Sequence, residues 1–241
     1  MADISTTLRW MADGTEFALG LVGGLSDEQL RGPSALPGWT RAHVVGHLAR
    51  NAEALGRLAH WASTGIETPA YASRERRDAD IEQSAGHPAV ALRAELADTA
   101  VALASALDTL DPAAWSAQVR GPQGHPVPAS ALPWWRCREV WLHGVDLDAG
   151  AGLDALPPDV TDALLAGAAA EMSGKDGCPG ATLTPTDRDR PLTLGAAPAD
   201  LTVEGSATQL LGWLVGRAEP TGLSATRHGT AEPVPDLPRW L

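Results

Sequence analysis

Trp134-Trp135-Arg136-Cys137-Arg138-Glu139-Val140-Trp141-Leu142-His143-Gly144-Val145-Asp146-Leu147-Asp148 is the stretch on which the reading of this chain turns. Its apolar residues recur at helical spacing, which predicts a helix buried around most of its circumference. Arg136, Glu139, His143 and Asp146 nevertheless share one stripe, in steps of three, four and three. Charged side chains on a buried stripe need partners, because an unpaired buried charge is costly. Glu139 and His143 stand one turn apart, so their tips can converge on one metal ion. Spacing alone leaves a second reading open, in which Glu139 pairs with Arg136 and a carbonyl satisfies His143.

Outward from this helix, the chain reads as a series of further helices. A first helix is expected over 4–23, turning Leu8, Met11, Ala12, Leu19 and Val22 to a core, with Gly23-Gly24 ending it. Thr40 is a natural N-cap for a second helix running to about residue 62. Val44, Leu48, Leu55 and Leu58 outline its core face, and His47 and Asn51 fall on the same face. His43, one turn earlier, is expected to be exposed near the helix start. Residues 64–86 read as a long polar connection containing the charged run Arg74-Glu75-Arg76-Arg77-Asp78, and connections of that length are often functional. A third helix is expected over 88–110. Gly121, Pro122, Gly124, Pro126 and Pro128 exclude helix before Ser130, which can cap the fourth.

Four long helices with inward polar groups on the second and fourth describe a mainly α fold, a four-helix bundle over 1–153. From residue 154 the texture changes to a helix, short strand-like runs at 181–184, 191–194 and 201–204, and a helix over 206–215. A small α+β domain over 154–241 follows from that pattern.

The net charge of −12 opposes binding to nucleic acid, whose phosphates it repels. No apolar run is long enough to span a bilayer, and the first residues lack a signal peptide's basic start and apolar core. Two cysteines, Cys137 and Cys178, cannot build a disulfide framework. These features lead us to expect a soluble, reduced, cytoplasmic protein without a membrane or nucleic-acid partner, and we expect a monomer. Cys137, two residues from Glu139, points away from the polar stripe and reads as packing.

Several motifs carry a resemblance that runs nearly end to end. They are Gly38-Trp39-Thr40-Arg41, His47 with Asn51-Ala52, and His60-Trp61-Ala62 with Thr64-Gly65 and Glu67-Thr68-Pro69. Arg138-Glu139-Val140-Trp141 with His143 and Val145-Asp146-Leu147, then Gly216-Arg217 and Pro238-Arg239-Trp240-Leu241, complete the set. On these residues the chain resembles the mycothiol-dependent maleylpyruvate isomerase family, whose N-terminal domain is a DinB-like bundle. The histidine motifs recur across that wider fold. The 61–68 segment and the C-terminal Pro-Arg-Trp-Leu are narrower signals for the isomerase.

The resemblance implies zinc or another divalent metal held by His47, Glu139 and His143. It also implies an arginine, Arg217, that faces the metal and helps bind substrate, with Arg77 and Asn51 as candidate cofactor-binding residues. The implied reaction is the cis–trans isomerisation of maleylpyruvate to fumarylpyruvate in gentisate breakdown, with mycothiol as thiol cofactor. A free thiol, with a pKa near ~8.5, is mostly protonated at neutral pH, and metal coordination removes that proton. The thiolate then adds to the conjugated double bond, the resulting single bond rotates, and expulsion of the thiolate restores the double bond as trans. Negative charge gathers on an enolate during addition, so a cation such as Arg217 or Arg77 belongs nearby. Without the resemblance, Arg217 reads as a cation at a helix C-terminus. Asp146 is either a partner orienting a ligand histidine or a salt-bridge member of the stripe. Two alternatives share the metal site: a mycothiol S-transferase, and a non-catalytic metal- or ligand-binding module.

Overall fold

The computed structural model describes residues 3–121, 124–196 and 199–240. They divide into two compact units, one ending at Gly152 and the other beginning at Leu153. The N-terminal unit contains helices α1 (Ile4–Gly24), α2 (Asp27–Arg31), α3 (Arg41–Thr64), α4 (Arg74–Ala85), α5 (Ala89–Asp108), α6 (Pro112–Ser116) and α7 (Leu132–Asp146). Helix α1 packs on α7, and α3 packs on α4, α5 and α7. The four long helices of the expected bundle are thus α1, α3, α5 and α7. Among the described residues no helix is long and apolar enough to cross a membrane.

Asp3 caps α1 by accepting from the Thr6 amide at 2.9 Å. The buried face is Thr7, Trp10, Met11, Gly14, Ala18 and Val22, a rotation away from the expected one: Ala12 is exposed, and Leu8 and Leu19 are half-buried. Close approach to α7 sets this rotation. A Cβ on Gly14 would lie 2.6 Å from Val140 Cγ2 and from Trp141 Nε1, and one on Gly144 would lie 2.6 Å from Phe17. The two glycines therefore let each helix receive the other's large side chains. The Trp141 indole donates to the Trp10 carbonyl at 2.9 Å, which satisfies a buried N–H that would otherwise be costly.

Thr40 caps α3 in a capping box with His43, and Gly65, at φ 72°, ends the helix in the left-handed conformation. The cap expected from Ser130 does not form. A 3₁₀ turn over Ala129–Ala131 leads into α7 without a side-chain cap, and Pro133 in the first turn has no amide hydrogen to satisfy.

The long polar connection is also corrected. Its second half is α4, capped by Ser73 and supported by an Arg76–Asp80 pair at 2.9 Å, one turn apart. Only Ile81, Ser84 and Ala85 of α4 are buried, so the sequence lacks the apolar periodicity that marks the other helices. Helix α4 lies close on α3 at Gly46, where a Cβ would come within 2.8 Å of Ser84 Cβ. Strands β1 (Gln118–Arg120) and β2 (Pro126–Pro128) pair as a small hairpin between α6 and α7.

The C-terminal unit contains α8 (Pro158–Ser173), β3 (Ala181–Pro185), β4 (Leu192–Leu194), β5 (Leu201–Gly205), α9 (Ala207–Leu214), β6 (Ser224–Arg227) and β7 (Thr230–Glu232). The strand order is β4-β3-β5-β6-β7, parallel only between β3 and β5. Alternate residues of β3 and β5 are buried, with α8 and α9 packed against each other and on the sheet. β6 and β7 were not expected. His228 (φ 50°) and Gly229 (φ 79°) form their two-residue turn. That backbone calls for Asn-Gly or Asp-Gly in a typical hairpin, and His at its first position hides the signal.

Candidate metal centre

His47 is buried on the inner face of α3, and Glu139 and His143 lie one turn apart on α7. The Glu139 carboxylate stands between the two rings. Its Oε2 is 2.7 Å from His47 Nε2 and 3.3 Å from His143 Nε2, and the rings meet edge to face with centroids 4.6 Å apart. The potential ligand atoms of the three residues all lie within 4.8 Å of one another. Ligand atoms at about 2.0–2.1 Å from tetrahedral zinc are about 3.3 Å apart. The Glu139–His143 distance already fits, and the Glu139–His47 distance needs to open by about half an ångström. Two imidazoles and one carboxylate are a donor set suited to a divalent metal, with a coordination position left open. Side-chain exposure rises from 6% at His47 through 16% at His143 to 28% at Glu139, so solvent reaches the group from the α7 side.

The outer nitrogens of the two rings face opposite charges. His143 Nδ1 is 2.8 Å from Asp146 Oδ2, and the Asp146 side chain is fully buried. On the other side, Arg77 Nη2 donates to His47 Nδ1 at 3.3 Å, while Arg77 Nη1 donates to Asp78 Oδ1 at 2.7 Å. Burial works against charge on His143, but the hydrogen bonds to Asp146 and Glu139 overcome it and raise its pKa to about 9. Burial, with repulsion from His143 and Arg77, lowers His47 to about 4 despite the Glu139 hydrogen bond. Burial likewise opposes ionisation of Glu139, yet hydrogen bonds from both histidines hold its carboxyl well below the usual range. Without metal the group therefore holds His143 as an imidazolium beside the Glu139 carboxylate, with His47 neutral.

The remaining residues of the stripe separate from the ligands. Arg136 donates to the Leu48 carbonyl at 2.7 Å and to Asn51 Oδ1 at 2.8 Å. It acts on Glu139 through its charge. The reading in which Arg136 pairs directly with Glu139 and a carbonyl satisfies His143 is thus replaced: each has another partner. His43 is half-buried, not exposed as expected. It closes the α3 capping box and faces Glu82 at 3.1 Å, so His47, one turn further on, is the histidine beside Glu139.

Tyr71, the chain's single tyrosine, was missed by sequence reasoning. The Arg57 and Arg77 guanidinium groups both lie over its half-buried ring, each 5.9 Å from the centroid. Its place just ahead of Arg77 in the long connection was the available signal. In the C-terminal unit, Arg217 donates to the Val215 carbonyl at 2.7 Å and lies over the Trp240 ring at 5.7 Å.

Comparison with known proteins extends this picture. Residues 11–148 match the family model of the mycothiol maleylpyruvate isomerase N-terminal domain. A crystal structure of a mycothiol-dependent maleylpyruvate isomerase superposes with a TM-score of 0.90 at 31% identity, covering 99% of this chain and 98% of the other. The structure of a histidine-to-alanine mutant of such an isomerase gives 0.89 at 30%, with the same coverage. A search of curated proteins finds no match. With its whole length superposing on those enzymes and more than half of it matching the family's domain, this chain belongs to the mycothiol-dependent maleylpyruvate isomerase family.

Proposed function

We propose that this chain converts maleylpyruvate to fumarylpyruvate, a step of gentisate breakdown, with mycothiol as a thiol cofactor that is required and returned. The observation that carries this reading is the convergence of His47, Glu139 and His143 in a member of this family. These three residues would hold the metal, with zinc as the fitting ion. A bound metal would supply the Lewis acidity that keeps the mycothiol sulfur as a thiolate, the nucleophile whose reversible addition loosens the substrate's double bond.

The chain's own residues prepare that chemistry. Asp146 fixes the orientation of the His143 ring and keeps a proton on Nδ1, so Nε2 is the atom presented to a metal. Burial of His47 keeps it neutral and fit to be a ligand. Arg77 supplies a cation beside His47, suited to the negative charge that develops on the substrate. The family resemblance marks Arg217 as a further candidate for binding substrate, since its planar fork matches a carboxylate. The Asn51 oxygen is committed to Arg136, so a contact with mycothiol would run through its amide nitrogen.

The test is a spectrophotometric assay of maleylpyruvate conversion with and without mycothiol, followed by titration of the remaining thiol. Fumarylpyruvate formed with thiol conserved is the expected result. Stoichiometric loss of thiol would make the chain an S-transferase, and absence of turnover would make it a binding module.

A further inference from the structure

The Arg77 contact to His47 is unusual for a metal ligand. A guanidinium only donates hydrogen bonds, so Nδ1 of His47 accepts, and the ring proton of the neutral imidazole sits on Nε2, facing Glu139. A metal needs that same Nε2 free of its proton, which places the proton on Nδ1, where it meets Arg77. Arg77 and a metal thus compete for one ring. His143, by contrast, has an acceptor behind it in Asp146.

Arg77 also lies over the Tyr71 ring. Tyr71 lies in the segment between Gly65 and Ser73, with Ala70 buried beside it. Arg57 donates twice to the Ala70 carbonyl, at 2.9 and 2.6 Å, and its guanidinium, like that of Arg77, lies over the ring at 5.9 Å from its centroid. Cation–ring contacts strengthen as they are desolvated, and this ring is half-buried.

We propose that Tyr71 is a positioning residue: its ring, braced by Arg57, holds the Arg77 guanidinium against His47, and metal loading releases Arg77 toward the open side of the site. On the isomerase reading proposed above, the released arginine meets an anionic substrate only once the metal is in place, which couples substrate binding to metal occupancy. The coupling needs no large motion, since Arg77 only exchanges one partner.

The measurement is zinc affinity of chelator-stripped protein, read by competition with a chromogenic chelator, with circular dichroism to confirm folding. Arg77→Ala removes a charge that opposes the metal, and zinc should bind on the order of tenfold more tightly. Tyr71→Ala should shift affinity in the same direction, and Tyr71→Phe, which keeps the ring but loses the hydroxyl that accepts from Arg77, should fall between Tyr71→Ala and wild type. In the Arg77→Ala background Tyr71→Ala should have no further effect. An unchanged affinity in folded Tyr71→Ala, or full additivity with Arg77→Ala, would overturn the proposal. Zinc binding by every variant without isomerase activity would refute the proposed reaction and leave this inference standing. Failure of wild type to bind zinc would refute both. A metal-free readout is the ionisation of the single tyrosine, which should move to higher pH in Arg77→Ala because the guanidinium beside it is gone. An unmoved titration would show that Arg77 does not rest on Tyr71.

Discussion

Asp146→Asn isolates the most deeply buried contact of the candidate centre. The substitution keeps volume and removes one charge, at a carboxylate 2.8 Å from His143 Nδ1 and shielded from solvent. A charge-assisted hydrogen bond in such surroundings is roughly twice as strong as a neutral one. Asparagine can also donate through its amide, which would move the ring proton to Nε2, the atom a metal needs. Loss of a partner of this kind typically lowers metal affinity about 10- to 100-fold, equivalent to about 1.4–2.7 kcal/mol. The assay is zinc competition on stripped protein across a pH series. A metal must displace the His143 proton, so wild-type affinity should climb with pH until about 9. In Asp146→Asn the climb should end at lower pH, because the carboxylate that raises the His143 pKa is gone. Wild-type affinity with an unshifted pH profile would refute the role given to Asp146 and return it to a structural ion pair.

His47→Ala and His143→Ala should each strip bound metal and abolish turnover, while alanine at the exposed His60 or His125 should leave both intact, as read by metal analysis of purified protein. Arg217→Ala should raise the barrier behind kcat/KM by roughly 2–4 kcal/mol, while loss of its Trp240 contact lowers Tm by only about 2–4 °C. In stripped protein, His143 contributes stability present below 6.5 and lost as pH rises through about 9; His47 contributes stability present above 6.5 and lost as pH falls through about 4. Tm should therefore peak near 6.5, and in His143→Ala the alkaline decline assigned to this residue should disappear from the melting profile. Gly14→Ala puts a methyl against Val140 and Trp141 and should cost about 1–3 kcal/mol, visible as a lower denaturation midpoint with the metal ligands unaltered.

The parts of the fold legible in the sequence are those where one signal dominates. Thr40 and Gly65 bracket α3 because capping and left-handed termination are local chemistry. The polar stripe on α7 stood out because Trp134, Val140, Trp141 and Leu142 surround it with apolar residues. What escaped was whatever depends on a neighbour. The rotation of α1 follows from two glycines, Gly14 and Gly144, whose meaning appears only once Trp141 and Phe17 are opposite them. Helix α4 buries three residues and otherwise displays charge, so its hydrophobic pattern is too thin to announce a helix. The contact between Arg77 and His47 escaped for the same reason, since it follows from α4 lying against Gly46. Tyr71 carries no spacing relation to any ligand, and only the course of the segment after Gly65 brings it beside Arg77.

These differences in legibility parallel a physical asymmetry within the centre. Glu139 and His143 ride on α7, which interlocks with α1 through glycines at Gly14 and Gly144 and through the Trp141–Trp10 hydrogen bond. A helix packed so closely cannot shift without clashes, so its two ligand side chains and the Asp146 behind them are preset. His47 sits on an equally buried helix, yet the group facing its outer nitrogen comes from α4, a short, charge-rich helix with little buried surface. Local opening is easiest where few apolar contacts hold an element down. The centre thus has a fixed side, which sets ligand geometry, and an adjustable side, whose charge sits against the ring of His47. Any exchange that accompanies metal or anion binding should fall on the Arg77 side. The strength of the α4–α3 contact at Gly46 then governs how readily it happens.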